Sequence, residues 1–404
     1  MNVPAGLLAR LRRSSLAQNA FALYGAHLAG LVLPLVAIPY LARVLRPEAW
    51  GVVVFSQSFA AVMALLLEYG FYLSATREIA RQRENPREVA RIVADVQAAK
   101  LILLALVTTL VVGAYFVVPL FRQHPTHLAW AWTIAAAQGL SAYWYYQGVE
   151  RMKAAALTEA LSKGVATVLL FVFVTGPGDG ALVLAIYGTA AMAWAVATNV
   201  WIYREVPILR LRLGAGLRML RETARLFVFR SAAGSYVTAN SFILGAMAGP
   251  QIVAFFGGAE RVIRGGINLI HPATQAIYPR VSHLVVEHKR QASRLLGLSL
   301  LMVGGLGLSV GLMAFFGAPL LVRLFLGAGY EAAVPVLKAL SILPPVIAVS
   351  TVLGLQWALP AGLDRPYLFL VIGGAVLNVG LAVLLVPAFG ALGMAGALAA
   401  TELF

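Results

Sequence analysis

Three arginines interrupt stretches of this chain that are otherwise as apolar as lipid: Arg230, Arg261 and Arg264. A charged side chain at mid-bilayer costs roughly 2.5–3.5 kcal/mol on insertion scales, so it persists where it faces a cavity or a partner. Arg261 and Arg264 are three residues apart and share one face of a helix. Glu260 stands one residue back, about 100° round the same helix. A guanidinium fork donates paired hydrogen bonds and so suits phosphate oxygens. With Arg230 on the preceding helix, the set reads as a cationic pocket for a phosphate or pyrophosphate group. The competing reading is an internal ion pair, Glu260 with one arginine, that only locks two helices together. The excess of arginine over glutamate favours the anion site. Asn240 adds a polar amide to the same region.

Other candidate groups are more ambiguous. Glu68 ends the second apolar run and reads either as an interfacial partner of Arg77 or as an ion-coupling carboxylate. His27, in the first run, can carry protons near neutral pH, or can sit in the core as a hydrogen-bonded imidazole. Glu159 and Lys163 have the i, i+4 order of a simple intrahelical pair. Tyr143, Trp144, Tyr145 and Tyr146 could stack on sugar rings or anchor a span at the interface. His124 and His127 have no acidic or cysteine neighbour with which to bind metal. The chain has no cysteine, which excludes disulfides and thiol catalysis. No metal, cofactor or catalytic constellation is expected.

The elements that must position these groups are membrane spans. The 404 residues are 61% hydrophobic and only 12% charged, with mean hydropathy +0.84. Lipid therefore solvates most of the surface, and a lipid-spanning backbone must pair with itself in helices or a closed barrel. The apolar runs reach spanning length without alternation, which selects helices. Spans are expected near 19–41, 50–70, 98–119, 127–148, 156–176, 181–203, 223–246, 250–272, 294–316, 331–355, 366–387 and 390–404. The last is shorter than the rest and reads as a final helix cut short. Arg10, Arg12 and Arg13 precede the first run with no small-residue cleavage site, so that run is expected to be retained as a span.

The net charge of +15 would suggest nucleic acid in a soluble protein. Here the basic residues alternate loop by loop. Arg77 to Lys100, Arg151 to Lys163 and Arg204 to Arg225 are rich, whereas the opposite loops hold only Arg43, Arg46, Arg122 and Arg323. The positive-inside rule then places the N-terminus of a multi-pass membrane protein in the cytoplasm, with membrane lipids and no nucleic acid as partners. Arg46-Pro47 and Gly249-Pro250 lie about 200 residues apart, as do Leu120-Phe121 and Leu324-Phe325. That interval implies two parallel six-helix repeats, residues 1–213 and 214–404, that bind substrate between halves and alternate access. The expected fold is an all-α polytopic membrane protein of about twelve helices in two six-helix bundles.

Several stretches are not generic membrane sequence: Asn240 to Pro250, Phe255 to Arg261, Pro272 to Arg280, Leu33 to Arg43 and Glu68 to Arg77. Together they resemble the Wzx-type flippase family of polysaccharide biosynthesis, within the multidrug/oligosaccharidyl-lipid/polysaccharide exporter superfamily. The resemblance runs over essentially the whole chain. It implies two six-helix lobes in a V and a non-enzymatic transporter. The implied substrate is an undecaprenyl-pyrophosphate-linked oligosaccharide repeat unit, turned from the cytoplasmic to the periplasmic leaflet for O-antigen, exopolysaccharide or capsule synthesis. It implies a cationic cavity, to which Arg230, Arg261 and Arg264 would contribute along with Glu260, Asn240 and Arg43 at the outer rim. A proton or sodium counter-ion is implied as well, with Glu68 and His27 as candidate carriers. Two alternatives stay open: a cation-coupled multidrug exporter of the same fold, which would favour acidic cavity residues, and a membrane-embedded glycan polymerase or transferase, which needs a carboxylate base, a metal or a large outer loop.

Overall fold

The structure is a computed structural model that describes residues 15–207, 209–268, 270, 274, 280, 281 and 289–404. For residues 15–32, 34, 35, 225, 229, 230, 232, 233, 235–237, 289 and 364 it describes the backbone alone. The described chain is helical, without strands, as lipid solvation demands. In chain order the helices are α1 (Ser15–Glu68), α2 (Phe71–Gln82), α3 (Pro86–Val117), α4 (Pro119–Gln123), α5 (Pro125–Leu140), α6 (Tyr143–Gly148), α7 (Met152–Phe173) and α8 (Gly180–Glu205). They continue with α9 (Leu213–Thr238), α10 (Asn240–Ala248), α11 (Pro250–Asn268), α12 (Lys289–Phe316), α13 (Ala318–Phe325), α14 (Ala333–Leu340), α15 (Leu343–Thr351) and α16 (Asp364–Leu403).

Seven helical segments among the described residues are long and apolar enough to cross a membrane, from Val36–Gln82 to Arg365–Leu403. Their outer faces carry bare hydrocarbon: Val117 and Leu301 are 77% exposed and Phe316 76%. Water would not tolerate that surface, and lipid does. The seven fall short of the expected twelve for identifiable reasons. The runs 19–41 and 50–70 are the two arms of α1 on either side of a break at Arg46, and 366–387 and 390–404 are the two arms of α16, which breaks at Gly390. The run 127–148 is divided between α5 and α6, and 223–246 between α9 and α10. Helix α11 carries Glu260, Arg261 and Arg264, which lower its hydropathy.

Two compact units form by contact. The first comprises Met1–Ala37, Phe59–Thr175 and Ala181–Ser231. Its helices begin where the sequence signals them: Asn85 caps α3 ahead of Pro86, and α4 and α5 also start on proline. Small residues let the helices approach closely. Gly139 lies against Leu67, and Gly148 against Ile79 and the Thr76 carbonyl. Polar side chains join the helices between these contacts. Gln97 donates to Asn199 at 2.6 Å, Asn199 donates to the Leu140 carbonyl at 2.9 Å, and the Tyr146 hydroxyl donates to the Thr198 carbonyl at 2.7 Å.

The second unit comprises Ile38–Ser58, Gly176–Gly180 and Ala232–Phe404. The middle of α1 thus packs with the helices after residue 231. Its break falls at Arg46, with φ 61° and ψ 169°. Gly249 has nearly the same conformation, φ 85° and ψ 168°, and each of the two residues precedes a proline. The weak sequence repeat therefore coincides with one backbone device used twice. Glycine adopts this region freely, whereas Arg46 bears strain there. Farther on, Val352–Ala358 form a π-helical turn in which the Leu359 N–H reaches the Gly354 carbonyl at 3.1 Å. The wide turn holds Gln356 inside, where it accepts from the Ser299 hydroxyl at 2.7 Å and donates to the Thr274 carbonyl at 3.4 Å.

The tightest backbone approach in the second unit is Gly51 on Pro250, where an added Cβ would overlap the proline carbonyl. Gly51→Ala should therefore lower stability by about 2–3 kcal/mol, because backbone rather than a movable side chain stands in the way. Gly113→Ala, with nothing within 4 Å of its Cβ, should instead gain about 0.5–1 kcal/mol. Thermal unfolding of the two variants in one detergent measures the difference.

Candidate functional site

Helix α11 starts on Pro250 and buries Val253, Phe256, Gly257, Glu260, Ile263 and Ile267, a stripe at three- and four-residue spacing. Glu260 lies on this buried stripe at 8% exposure, while Arg261 and Arg264 sit half-buried at its edges. Glycines let other elements come close: Gly257 faces Val54 of α1, and Gly258 faces Leu326. Helix α11 thus meets the middle of α1, and the charged turn is enclosed by protein on one side.

The two arginines have different partners. Arg264 grips Glu260 one turn back, its Nε at 3.1 Å and its Nη2 at 2.7 Å from Oε1. This is the ion pair that the sequence offered as an alternative to an anion site, and the structure forms it. Arg261 turns to α1, where its Nη2 donates to Gln57 Oε1 at 2.6 Å. The guanidinium carbon also stands 4.7 Å from the ring centroid of Trp50, a cation–π contact. Trp50 is buried, and Gln57 lies 204 residues before Arg261, the interval of the internal repeat. Gln57 and Trp50 were not singled out from the sequence. The amide of Gln57 within an apolar run was the available signal.

Arg43 lies in the same unit. It donates to the Leu324 carbonyl near the end of α13, where helix carbonyls lack intrahelical partners. The loop that follows is built around it. Gly327, at φ 91°, presses on the Arg43 side chain, and the buried Tyr330 hydroxyl donates to the Ala42 carbonyl at 2.9 Å. The Glu331 carboxyl is held below its usual range by its own N–H and that of Gly329. The geometry gives Arg43 a positioning contact beside the break in α1. Asn240 opens α10, fully buried, and its amide has no hydrogen-bond partner among the described residues. The side chains of Arg230 and His27 lie outside the described residues.

In the first unit, Lys100 stands out. From the sequence it counted among the cytoplasmic loop charges. In the structure it is buried at 2% exposure within α3, its Nζ donating to the Ser141 carbonyl at 2.8 Å and lying 5.6 Å from the Trp144 ring. The charge of Glu68, at the end of α1, acts on it. Trp144, Tyr145 and Tyr146 are all buried. Tyr145 donates to Glu205 at 3.2 Å, which Arg151 also pairs at 3.3 Å, so these rings fasten α6 to α8 and present no open face to a sugar. Glu159 and Lys163 form the expected intrahelical pair at 2.7 Å.

The sequence profile described as "Polysaccharide biosynthesis protein" matches residues 16–285. A protein of Escherichia coli (strain K12) named as an O-antigen transporter is 31% identical over 374 residues, covering 92% of this chain and 90% of that protein. Among solved structures, the lipid II flippase MurJ in an inward closed conformation aligns with a TM-score of 0.68 at 12% identity, covering 95% of this chain and 85% of that one. An inward-facing multidrug resistance MATE family transporter of the MOP superfamily aligns with a TM-score of 0.64 at 17% identity, covering 92% and 94%. The fold is that of MOP-type transporters.

The Arg261 contacts make a measurable prediction. Gln57→Leu removes a hydrogen bond to a charged group and should cost about 1.5–3 kcal/mol. Trp50→Leu should lose about 0.5–2 kcal/mol from the cation–π contact, beyond the loss of ring packing. Tm of the purified variants reads both, and an unchanged Tm in Gln57→Leu would show that the contact contributes nothing to stability.

Proposed function

Because the chain belongs to the polysaccharide biosynthesis protein family, we propose that it is a flippase that turns undecaprenyl-pyrophosphate-linked oligosaccharide repeat units from the cytoplasmic to the periplasmic leaflet. It works in the bacterial inner membrane with its N-terminus in the cytoplasm. Residues 1–213 and 214–404 act as two six-helix lobes that alternate access. It is a transporter, not an enzyme. The observation that carries this reading is the charge balance of α11: two half-buried arginines against one carboxylate, on a helix otherwise apolar enough to be enclosed.

The Glu260–Arg264 pair suits such a cycle. Both Nε and Nη2 of Arg264 point at one carboxylate oxygen. A pyrophosphate oxygen can take the same two donors, because phosphate and carboxylate match the same fork. Substrate arrival then exchanges one anion for another, and Glu260 recovers Arg264 on release. The empty site never holds a bare buried charge, which would be costly. Arg261, oriented by Gln57 and Trp50, supplies the second guanidinium, and Asn240 adds a buried amide in the same unit; Arg230 is a further candidate from the sequence. Arg43 supports the break in the middle of α1. Glu68, with the buried Lys100 near it, is the site at which a proton or sodium counter-ion would couple, and His27 is a second candidate.

Proteoliposomes loaded with a fluorescent undecaprenyl-pyrophosphate oligosaccharide test the reading. The protein should expose the glycan to an external lectin over time, and failure to do so with correctly inserted protein would sink the proposal. Arg261→Ala and Arg264→Ala should each lower the rate by about tenfold or more, the loss of one charge-assisted contact. The Lys versions should retain part of it. Glu260→Gln should tighten binding and slow release, because the competing carboxylate is gone.

A further inference from the structure

The segment that leads from α8 into the first turns of α9 has a composition that transport does not use. From Leu209 to Glu222 it reads Leu-Arg-Leu-Arg-Leu-Gly-Ala-Gly-Leu-Arg-Met-Leu-Arg-Glu. It holds Arg210, Arg212, Arg218 and Arg221 against a single carboxylate, Glu222. Residues 209–212 are not helical, and the Arg212 carbonyl accepts from Ala215 at 3.0 Å and Gly216 at 3.1 Å as α9 begins. The four arginines are exposed. So are four leucines of the stretch: Leu209 at 42%, Leu211 at 44%, Leu213 at 63% and Leu217 at 49%.

This segment is pinned at both ends next to spanning helices. The chain leaves α8 at Glu205, and Val206 is still buried, its N–H bonded to the Ile202 carbonyl at 2.8 Å. Ten residues later Gly216 lies directly on α3, where an added Cβ would meet the Ala98 carbonyl carbon and the Ala99 nitrogen at 2.8 Å. The apolar run of α3 starts at that level. Arg212 and Arg218 stand close enough to Asp95 of α3 for their charges to act on it. The exposed leucines and arginines are thus fixed at the end of the hydrocarbon layer.

We propose that residues 209–221 are a docking surface for anionic phospholipid headgroups, with the four leucines set into the acyl boundary and the four arginines in the phosphate layer. Bare leucine next to unpaired-sign arginine fits an interface in which one side is oil and the other carries negative charge. A soluble acidic partner would satisfy the arginines but leave no reason for interleaved leucines at this depth. The surface is independent of the transported substrate.

The absence of cysteine makes the test direct. The full chain carrying Leu211→Cys or Leu213→Cys, labelled with a small fluorophore, is placed in bilayers of phosphatidylcholine alone or of phosphatidylcholine with phosphatidylglycerol. With phosphatidylglycerol the label should lose access to aqueous acrylamide and become quenched by chain-brominated lipid. A Glu84→Cys label should stay open to water in both bilayers. Adding Arg210→Gln and Arg221→Gln, neither of which acts on Asp95, should restore aqueous access, with the buried fraction weakened about fivefold per arginine removed. Equal aqueous access in the two bilayers would overturn the proposal, as would protection that survives both arginine changes. Neither outcome bears on the flippase reading, because no transport is measured.

Discussion

A guanidinium keeps its proton at any pH a cell offers, so a helix that carries arginine through an apolar layer must bring partners with it. On α11 that constraint is met twice and differently. Arg264 is neutralised within its own helix by Glu260, while Arg261 is held across helices by an amide and an aromatic face. The second solution is the more consequential for the fold. It requires Gln57 and Trp50 to arrive at the right height, which requires the middle of α1 to lie against α11. The close approaches of Gly51 to Pro250 and of Gly257 to Val54 provide that.

The first unit buries a basic side chain of a different kind, Lys100, which reaches a carbonyl and an indole face under the influence of Glu68. In both units a basic side chain is held by groups of partial charge as well as by a carboxylate. The tyrosines that follow Trp144 hold helices in register, the Tyr146 hydroxyl donating to the Thr198 carbonyl and the Tyr145 hydroxyl to Glu205.

Much of this was legible in the residues alone. Apolar run lengths gave helices in nearly the right places, and the pairing of Arg46-Pro47 with Gly249-Pro250 marked a backbone device used twice. The spacing of Glu260, Arg261 and Arg264 put both readings, anion site and ion pair, in view. What stayed hidden depended on tertiary contact. Lys100 looks like a loop charge because it lies near the arginine-rich stretch before α3, and only packing against Ser141 and Trp144 reveals it as buried. Gln57 has no charge to draw attention. The breaks within α1 and α16 fall where the expected runs part, between 41 and 50 and at 390, but hydropathy does not show the single residues of unusual φ, Arg46 and Gly390, that make them. The π turn after Thr351 has no composition signature at all.

That wide turn has a consequence for comparing relatives of different length. A π turn holds one residue more than the α turn it replaces. A homologue one residue shorter between positions 352 and 358 can therefore rewind this stretch as ordinary α-helix while the flanking backbone keeps its path. What it would forfeit is the inward amide of Gln356 and its tie to Ser299. A single gap in that window thus separates chains that join these two helices by a polar link from chains that join them by hydrocarbon alone.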